Sequence, residues 1–486
     1  MRPGLYRADL DSLRQHRVPD WFADAKLGAF VHWGLFSVPG FAPTTRYTDV
    51  LHHDYDRAMV VSPYAEAYAN AMRVPGTPTY KFHRATYGDM AYEGFQEIFE
   101  RQLADWDPDA WAEQFRRSGA RYVVMVTKHH DGYSMWPTAI RHPHRADWHC
   151  KRDLVGELMA AVRRRGLRFG VYYSGGEDWT FQTKIVRTLG DYTYLPHGSA
   201  YGDYAEAQVR ELITRYHPDI LWNDISWPTG QDRLNALFAD YYNTVPEGLV
   251  NDRWQTDSLG KKILGLPPMR AAFDVIMKIL ISRKSDFIES IKPPTVPHAD
   301  FTTPEYTQYE TTQVKKWETT RGMGNSFGYN SAETESDYTS FEDYLFPSFV
   351  DAVAKNGNLL INVGPDGGDG RIPDEQSRRL EEFGRWLQAN GDAIYQTRPY
   401  AVPQARTVSG EEVRLTHSAG DVNMIILGRP QGRTLVIDNL QLPAGRATLL
   451  ADDSGVEVSR SGNATHLRFD SDLTGHFSPA VSIATR

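Results

Sequence analysis

Between about residue 20 and residue 395, short runs of Val, Ile, Tyr and Phe alternate with segments of helical period. No other feature limits the fold of this chain so strongly. Strands separated by helices pair in parallel, and a parallel sheet needs helices over its faces. The strand-like runs are Gly28–Leu35, Tyr122–Thr127, Arg168–Tyr173, Ile220–Asn223, Leu249–Asn251 and Asn358–Val363. Between them, Asp107-Pro108 opens a helix with a capping carboxylate and a first-turn proline. Further helical spacing spans Asp153–Arg165, Tyr204–Tyr216, Asp343–Lys355 and Pro373–Ala389. So many strand–helix units predict a (β/α)8-like barrel rather than an open sheet.

Past about residue 398 the helical periods stop. Val413–Thr416, Asn423–Leu427, Thr434–Ile437, Ala447–Leu450 and Thr465–Phe469 are short strand-like runs separated by Gly, Asp or Asn. They predict a small C-terminal all-β sandwich. The division expected is a catalytic barrel over 1–397, with an inserted segment at about 255–299, and a sandwich over 398–486. A length of 486 residues suits two such units. The net charge of −9 argues against a nucleic-acid partner. No run of about 18 apolar residues occurs, which argues against a membrane partner. One cysteine, Cys150, and a charged N-terminal stretch without an apolar core predict a cytoplasmic protein.

Catalytic groups of a barrel sit where strands end. Here His32-Trp33, Lys128-His129-His130-Asp131, Tyr172-Tyr173, Asn223-Asp224 and Asp252-Arg253-Trp254 follow five strands in turn. Imidazoles, a guanidinium and indoles gathered around carboxylates suit a hydroxyl-rich ligand with one apolar face, which is a sugar. Two chemistries compete. His32, His129 and His130 could hold a metal. Against this, no His-x-His pair ends the first strand, and adjacent histidines on extended backbone would point to opposite sides. The alternative is a pair of carboxylates flanking a glycosidic bond, needing no cofactor and no metal. Asp224 suits the nucleophile, since His and Arg neighbours would keep it ionised.

Several blocks resemble glycoside hydrolase family 29, the α-L-fucosidases. They are WFADAKLGAFVHWGLFSVP (Trp21–Pro39), WDPDAWAEQFRRSGARYVVMVTKHHDGYSMW (Trp106–Trp136), RDLVGELMAAVRRRGLRFGVYYSGGEDW (Arg152–Trp179) and LWNDISWP (Leu221–Pro228). VNDRW, WETTRGMGNSFGYN (Trp317–Asn330) and KNGNLLINVGPDGGDGRIP (Lys355–Pro373) continue the match, and a small β-sandwich belongs to the family's layout. The resemblance implies a retaining exo-α-L-fucosidase that acts on fucosylated glycosides or oligosaccharides without a metal. It implies Asp224 as nucleophile and Glu305, in TPEY, as acid/base. Glu310 and Glu318 lie close enough in sequence to compete with Glu305. By the same resemblance His32, Glu66, His129, His130, Tyr172 and Arg253 contact the sugar or the nucleophile. Trp222 and Phe327 would flank the fucose methyl group. Ala67 stands where some relatives carry an aromatic, which would open the pocket on that side. A glycosidase for a related sugar such as an α-L-galactoside is therefore an alternative, as is a metal-dependent barrel hydrolase.

The segment between Trp254 and Asp300 reads as an insertion relative to that family. Ala272, Val275, Ile276, Ile279, Leu280, Phe287, Ile288 and Ile291 fall on one helical stripe, bounded by Pro267-Pro268 and Pro293-Pro294. The stripe is expected to bury itself on the barrel, on a lid, or on a second subunit in a homo-oligomer.

Overall fold

A computed structural model describes residues 5–182, 184–193, 199–256, 259–283, 295–418 and 420–485. Seven parallel strands make the first sheet: β1 Leu27–Val31, β2 Tyr122–Lys128, β3 Arg168–Ser174, β4 Ile220–Asp224, β5 Leu249–Val250, β6 Trp317–Arg321 and β7 Gly357–Val363. Their order is β5-β4-β3-β2-β1-β7-β6. Side chains alternate along each strand. Phe30, Val124, Val126, Tyr172, Ile220 and Trp222 meet inside the curve of the sheet. Ala29, Val31, Val123, Met125, Val171 and Leu221 pack outward in the layer that holds the helices. Both faces are buried, which is why these strands read as unbroken apolar runs.

Among the described residues no eighth regular strand joins this sheet. The place between β5 and β6 is filled by an irregular extended segment, residues 300–306. Asp300 N donates to Val250 O at 3.0 Å, and Tyr306 N donates to Thr320 O at 3.2 Å. Single bridges pair Thr302 with Trp317 and Glu305 with Thr320. Phe301 enters the inner apolar cluster. The curved sheet is thus closed by backbone that carries Glu305. It is anchored at its start, where Asp300 accepts from Val250 N, from Tyr242 OH and from His16 Nδ1.

The helices follow the local signals. Asp107 Oδ1 accepts from Asp109 N at 2.8 Å with Pro108 in the first turn, and Asp153 Oδ1 accepts from Gly156 N at 2.9 Å. These caps satisfy donors that a helix start leaves unpaired.

The helix Pro267–Arg283 corrects the expected stripe. Val275, Ile276, Ile279 and Leu280 are exposed, and Ala272 is exposed with them. The face that packs is Phe273, Met277 and Ile281, against Val50, Leu51, Tyr55 and Ala58. This helix is apolar on several sides, so spacing alone does not choose its buried face. Asp274 does: its carboxylate accepts from Tyr55 OH, Gly190 N and Thr188 Oγ1, which turns its own side of the helix inward. Phe287, Ile288 and Ile291 lie outside the described residues.

Eight antiparallel strands follow: β8 Arg398–Arg406, β9 Glu412–Ser418, β10 Asp421–Ile426, β11 Thr434–Ile437, β12 Gly445–Leu449, β13 Ser454–Ser461, β14 Ala464–Phe469 and β15 Ala480–Ala484. They form one sheet, β11-β14-β13-β12-β15-β10-β9-β8. Val413 and Met424 near one end share a single apolar cluster with Leu435 and Phe469 near the other, so the sheet folds over its own core. A buried ion cluster joins it to the barrel. Arg414 Nε on β9 donates to Asp351 Oδ1 at 2.6 Å, and Lys355 Nζ donates to Asp351 Oδ2 at 3.0 Å. Among the described residues no helix is long and apolar enough to cross a membrane.

Candidate active site

A cavity of about 230 Å3 opens at the C-terminal ends of the parallel strands. His32, Glu66, His129, His130, Tyr172, Trp222, Asp224, Glu305 and Phe327 all line it. Arg253 stands behind them and ties two of them together. Its Nη1 donates to Asp224 Oδ1 at 2.9 Å and its Nη2 reaches Glu305 Oε1 at 2.7 Å. The guanidinium is itself held by Thr303, whose hydroxyl and carbonyl accept from Nε and Nη2, and it lies over the Trp222 ring at 4.7 Å.

Asp224 ends β4 and is the better-held carboxylate. Oδ1 accepts from Arg253 and from Ile225 N; Oδ2 accepts from Tyr172 OH at 2.8 Å. Ile225 adopts φ +68°, a left-handed turn that is costly for a β-branched residue. Burial alone would raise the Asp224 pKa. Arg253, His130 and the hydroxyl of Tyr172 outweigh it and hold the group below its ordinary value. Burial also pulls His130 down to about 4, so at neutral pH Arg253 supplies the positive charge.

The histidines are therefore neutral hydrogen-bonding groups. The Ser174 hydroxyl donates to Glu177 O at 2.7 Å, so it accepts from His130 Nδ1 at 2.6 Å, leaving Nε2 as an acceptor. Likewise Asn362 Nδ2 donates to Phe327 O, and its Oδ1 accepts from His32 Nδ1 at 2.6 Å. Burial lowers His32 to about 4 as well. The expectation that His129 and His130 diverge fails, because β2 ends at Lys128 and both rings turn into the cavity with centroids 4.1 Å apart. Even so, no group of three or more His, Cys, Asp or Glu among the described residues is arranged to hold a metal ion.

Glu66 lies in a short 3-10 turn and accepts from Gly328 N and Ser326 Oγ; burial raises its pKa. The competitors of Glu305 sit elsewhere. Glu310 is exposed and does not line the cavity. Glu318, on β6, is fully buried beneath it, accepting from Tyr122 OH and Trp222 Nε1, and burial pushes it up to about 7. Trp222 thus serves the inner core and the cavity wall at once.

Sequence reasoning missed several participants. Asn362 is the lone polar residue near the end of an apolar strand, a signal available in NLLINV. Glu177, fully buried and pushed by burial up to about 8, accepts from Trp179 Nε1 and places Oε2 3.9 Å from His130 Nε2. Tyr47, Met59, Tyr64, Asn70, Trp179 and Val186 add to the wall from short helices and loops outside the quoted blocks or at their edges.

Comparison with known proteins bears on the same site. The alpha-L-fucosidase family matches residues 2–269 and 279–392. An alpha-L-fucosidase of Branchiostoma floridae is 30% identical over 446 residues, 89% of this chain and 84% of its own. The tissue alpha-L-fucosidase of Mus musculus is 30% identical over 413 residues, 83% of this chain and 76% of its own. A crystal structure of Thermotoga maritima alpha-fucosidase superposes with TM-score 0.81 at 40% identity, covering 98% of this chain and 100% of that one. A barrel closed by the irregular segment carrying Glu305, a sheet folded on itself behind it, and a family match that runs through the segments around the cavity lead to one assignment. The chain belongs to glycoside hydrolase family 29 and is an α-L-fucosidase.

Proposed function

We propose that the enzyme hydrolyses terminal α-L-fucosides with net retention, through a covalent fucosyl-enzyme on Asp224, with Glu305 as acid/base. The observation that carries this reading is the shared guanidinium. One Arg253 fork reaches both carboxylates, which draws them close. Retaining pairs stand about 5–5.5 Å apart, whereas inverting pairs leave room for a water. The cavity, at about 230 Å3, falls below the usual range for larger ligands and suits one terminal sugar.

In the first step Asp224 attacks the anomeric carbon. Oδ2 is the freer oxygen, since Oδ1 already accepts two hydrogen bonds and Oδ2 one. The bond from that carbon to the leaving oxygen breaks, and the Glu305 carboxyl gives that oxygen its proton. This requires Glu305 to exchange Arg253 for the leaving group as substrate enters. In the second step Glu305 takes a proton from water, the water oxygen attacks the same carbon, and the ester to Asp224 breaks. His32, His129, His130 and Glu66 hydrogen-bond the sugar hydroxyls. Phe327 and Trp222 face its methyl group.

Proton NMR of the first-formed sugar tests the stereochemistry. The α-anomer is expected, and the β-anomer would overturn the reading. Asp224→Gly is expected to lower kcat by on the order of 10³-fold, with azide restoring turnover as β-fucosyl azide. Near wild-type turnover in that variant would remove Asp224 from the role. Ala67 lines the cavity beside Glu66, so an α-L-galactoside is the control substrate.

A further inference from the structure

One part of the cavity lining is largely apolar. Tyr47, Met59, Tyr64 and Val186 form it, with the Tyr47 and Tyr64 rings 5.3 Å apart. It is knitted into one piece: Tyr47 OH donates to Met59 Sδ at 3.2 Å, Met59 N donates to Arg187 O at 3.0 Å, and Val186 exchanges two hydrogen bonds with Asn70. This side stands next to Glu305. Both tyrosines share the cavity with it, and after burial its charge is among the influences that raise both hydroxyl pKa values. A group that protonates the leaving oxygen touches the leaving group, so the part of this wall beside Glu305 meets that group.

The wall is braced from outside by the helix Pro267–Arg283. Tyr47 and Leu189 pack against the cluster where Met277 and Ile281 meet Val50, Leu51, Tyr55 and Ala58. Asp274 is its keystone. Oδ1 accepts from Tyr55 OH at 2.9 Å and from Gly190 N at 2.8 Å; Oδ2 accepts from Thr188 Oγ1 at 2.9 Å. One carboxylate therefore joins the two segments that carry Tyr47, Met59 and Val186. The fit is close, since a Cβ on Gly190 would stand 2.5 Å from the Asp274 oxygens. The family match ends at 269 and resumes at 279, so Asp274 lies outside the matched residues.

We infer that the helix Pro267–Arg283 is a specificity element which, through Asp274, sets the wall receiving the leaving group and selects α-L-fucosides with an apolar or aromatic aglycone. Asp274 is a positioning residue: it touches no substrate and acts through Tyr47, Met59 and Val186. The inference rests on Glu305 being the acid beside the leaving group.

The test compares two substrates with the full-length enzyme. α-L-Fucosyl fluoride has a leaving group too small to use the wall, whereas an aryl α-L-fucoside lays a ring on it. Asp274→Ala is expected to raise KM for the aryl fucoside about tenfold with kcat little changed, and to leave kcat/KM for the fluoride within about twofold. Tyr55→Phe keeps the packed ring and removes one of the three hydrogen bonds, so it gives a smaller shift in the same direction and serves if Asp274→Ala does not fold. Equal losses on both substrates in both variants would reduce the helix to scaffolding and overturn the inference. So would an unchanged aryl KM. Failure of the acid assignment shows separately: Glu305→Ala would then lower kcat/KM for the fluoride, which needs no proton, as much as for a fucosyl-disaccharide.

Discussion

Glu305 and Asp224 share a guanidinium yet are held differently, and the difference suits two roles. Asp224 accepts three hydrogen bonds at the end of a strand, and its side chain is 14% exposed. Glu305 is 39% exposed on irregular backbone, with Tyr306 beyond it at φ +50°. A rigid, ionised group can attack at once, whereas a looser one can change partners between its two proton transfers. Poor leaving groups need the proton most. Glu305→Ala is therefore expected to lower kcat/KM for fucosyl-disaccharides by about 10²–10⁴-fold and for nitrophenyl fucosides far less, while the fucosyl-enzyme accumulates. Loss of the same size on both substrates would send the role elsewhere. The acid side of the pH profile belongs to Asp224. Because its pKa is depressed, the carboxylate is fully ionised above the ordinary aspartate range and protonates only as pH falls through the lowered value. The acidic limb of kcat/KM is accordingly expected on the acid side of an ordinary aspartate's titration, and Tyr172→Phe, which removes one stabilising donor, should move it upward.

The segment 300–306 is where the barrel departs from regular geometry, and Thr303 holds it in place. Its N–H and hydroxyl both donate to Asp252 Oδ1, at 2.9 and 2.7 Å, while the hydroxyl oxygen accepts from Arg253 Nε. Two residues before Glu305, this side chain registers the closing segment against the loop after β5. Thr303→Val keeps the shape and removes the hydroxyl. A buried donor on Arg253 and an acceptor on Asp252 then lose a partner, at about 1–3 kcal/mol. The expected outcome is a kcat about 10-fold lower together with a raised acidic limb, as Arg253 loosens from Asp224. Thr303→Ser should recover most of both. A fall in kcat that serine does not repair, with the limb unmoved, would mean that only packing was lost.

Across the whole molecule, barrel and folded sheet meet through an ion cluster rather than through apolar contact alone. Asp351 is 4% exposed and lies between Lys355 and Arg414, which are 5% and 12% exposed. Trp386 Nε1 adds a hydrogen bond to Ser478 O nearby in that interface. Removing one member of a buried cluster costs more than the cluster contributes, because the remaining charges stay buried without compensation. Asp351→Ala is expected to destabilise the protein by roughly 3–5 kcal/mol, read as a lower unfolding midpoint in denaturant, with KM unchanged where the variant remains folded. An unshifted midpoint would mean that water reaches Arg414 and Lys355 at this junction.

Local chemistry was enough to determine much of this. Unbroken apolar runs marked β1 to β5 and β7, because a strand buried on both faces tolerates little else. Asp107-Pro108 and Asp153 marked helix starts through hydrogen bonds that span two or three residues. The ordered blocks around His32, His129, His130, Tyr172 and Asp224 pointed to one barrel mouth, and those side chains do meet in one cavity. Other features depended on contacts made at a distance. Strand β6, WETTR, is polar in sequence and is a strand only because β7 and the closing segment bond to its two edges. β8 and β13 likewise take their form from partners, since half-exposed strands carry weak patterns. The helix Pro267–Arg283 chose its buried face through Asp274, whose partners Tyr55, Thr188 and Gly190 lie 84 to 219 residues away in the chain. Glu305, Glu310 and Glu318 could not be ranked by residue type. Folding placed the first at the cavity, the second in solvent and the third under Trp222, because where the closing segment and β6 pack is fixed by distant partners and not by their own sequence.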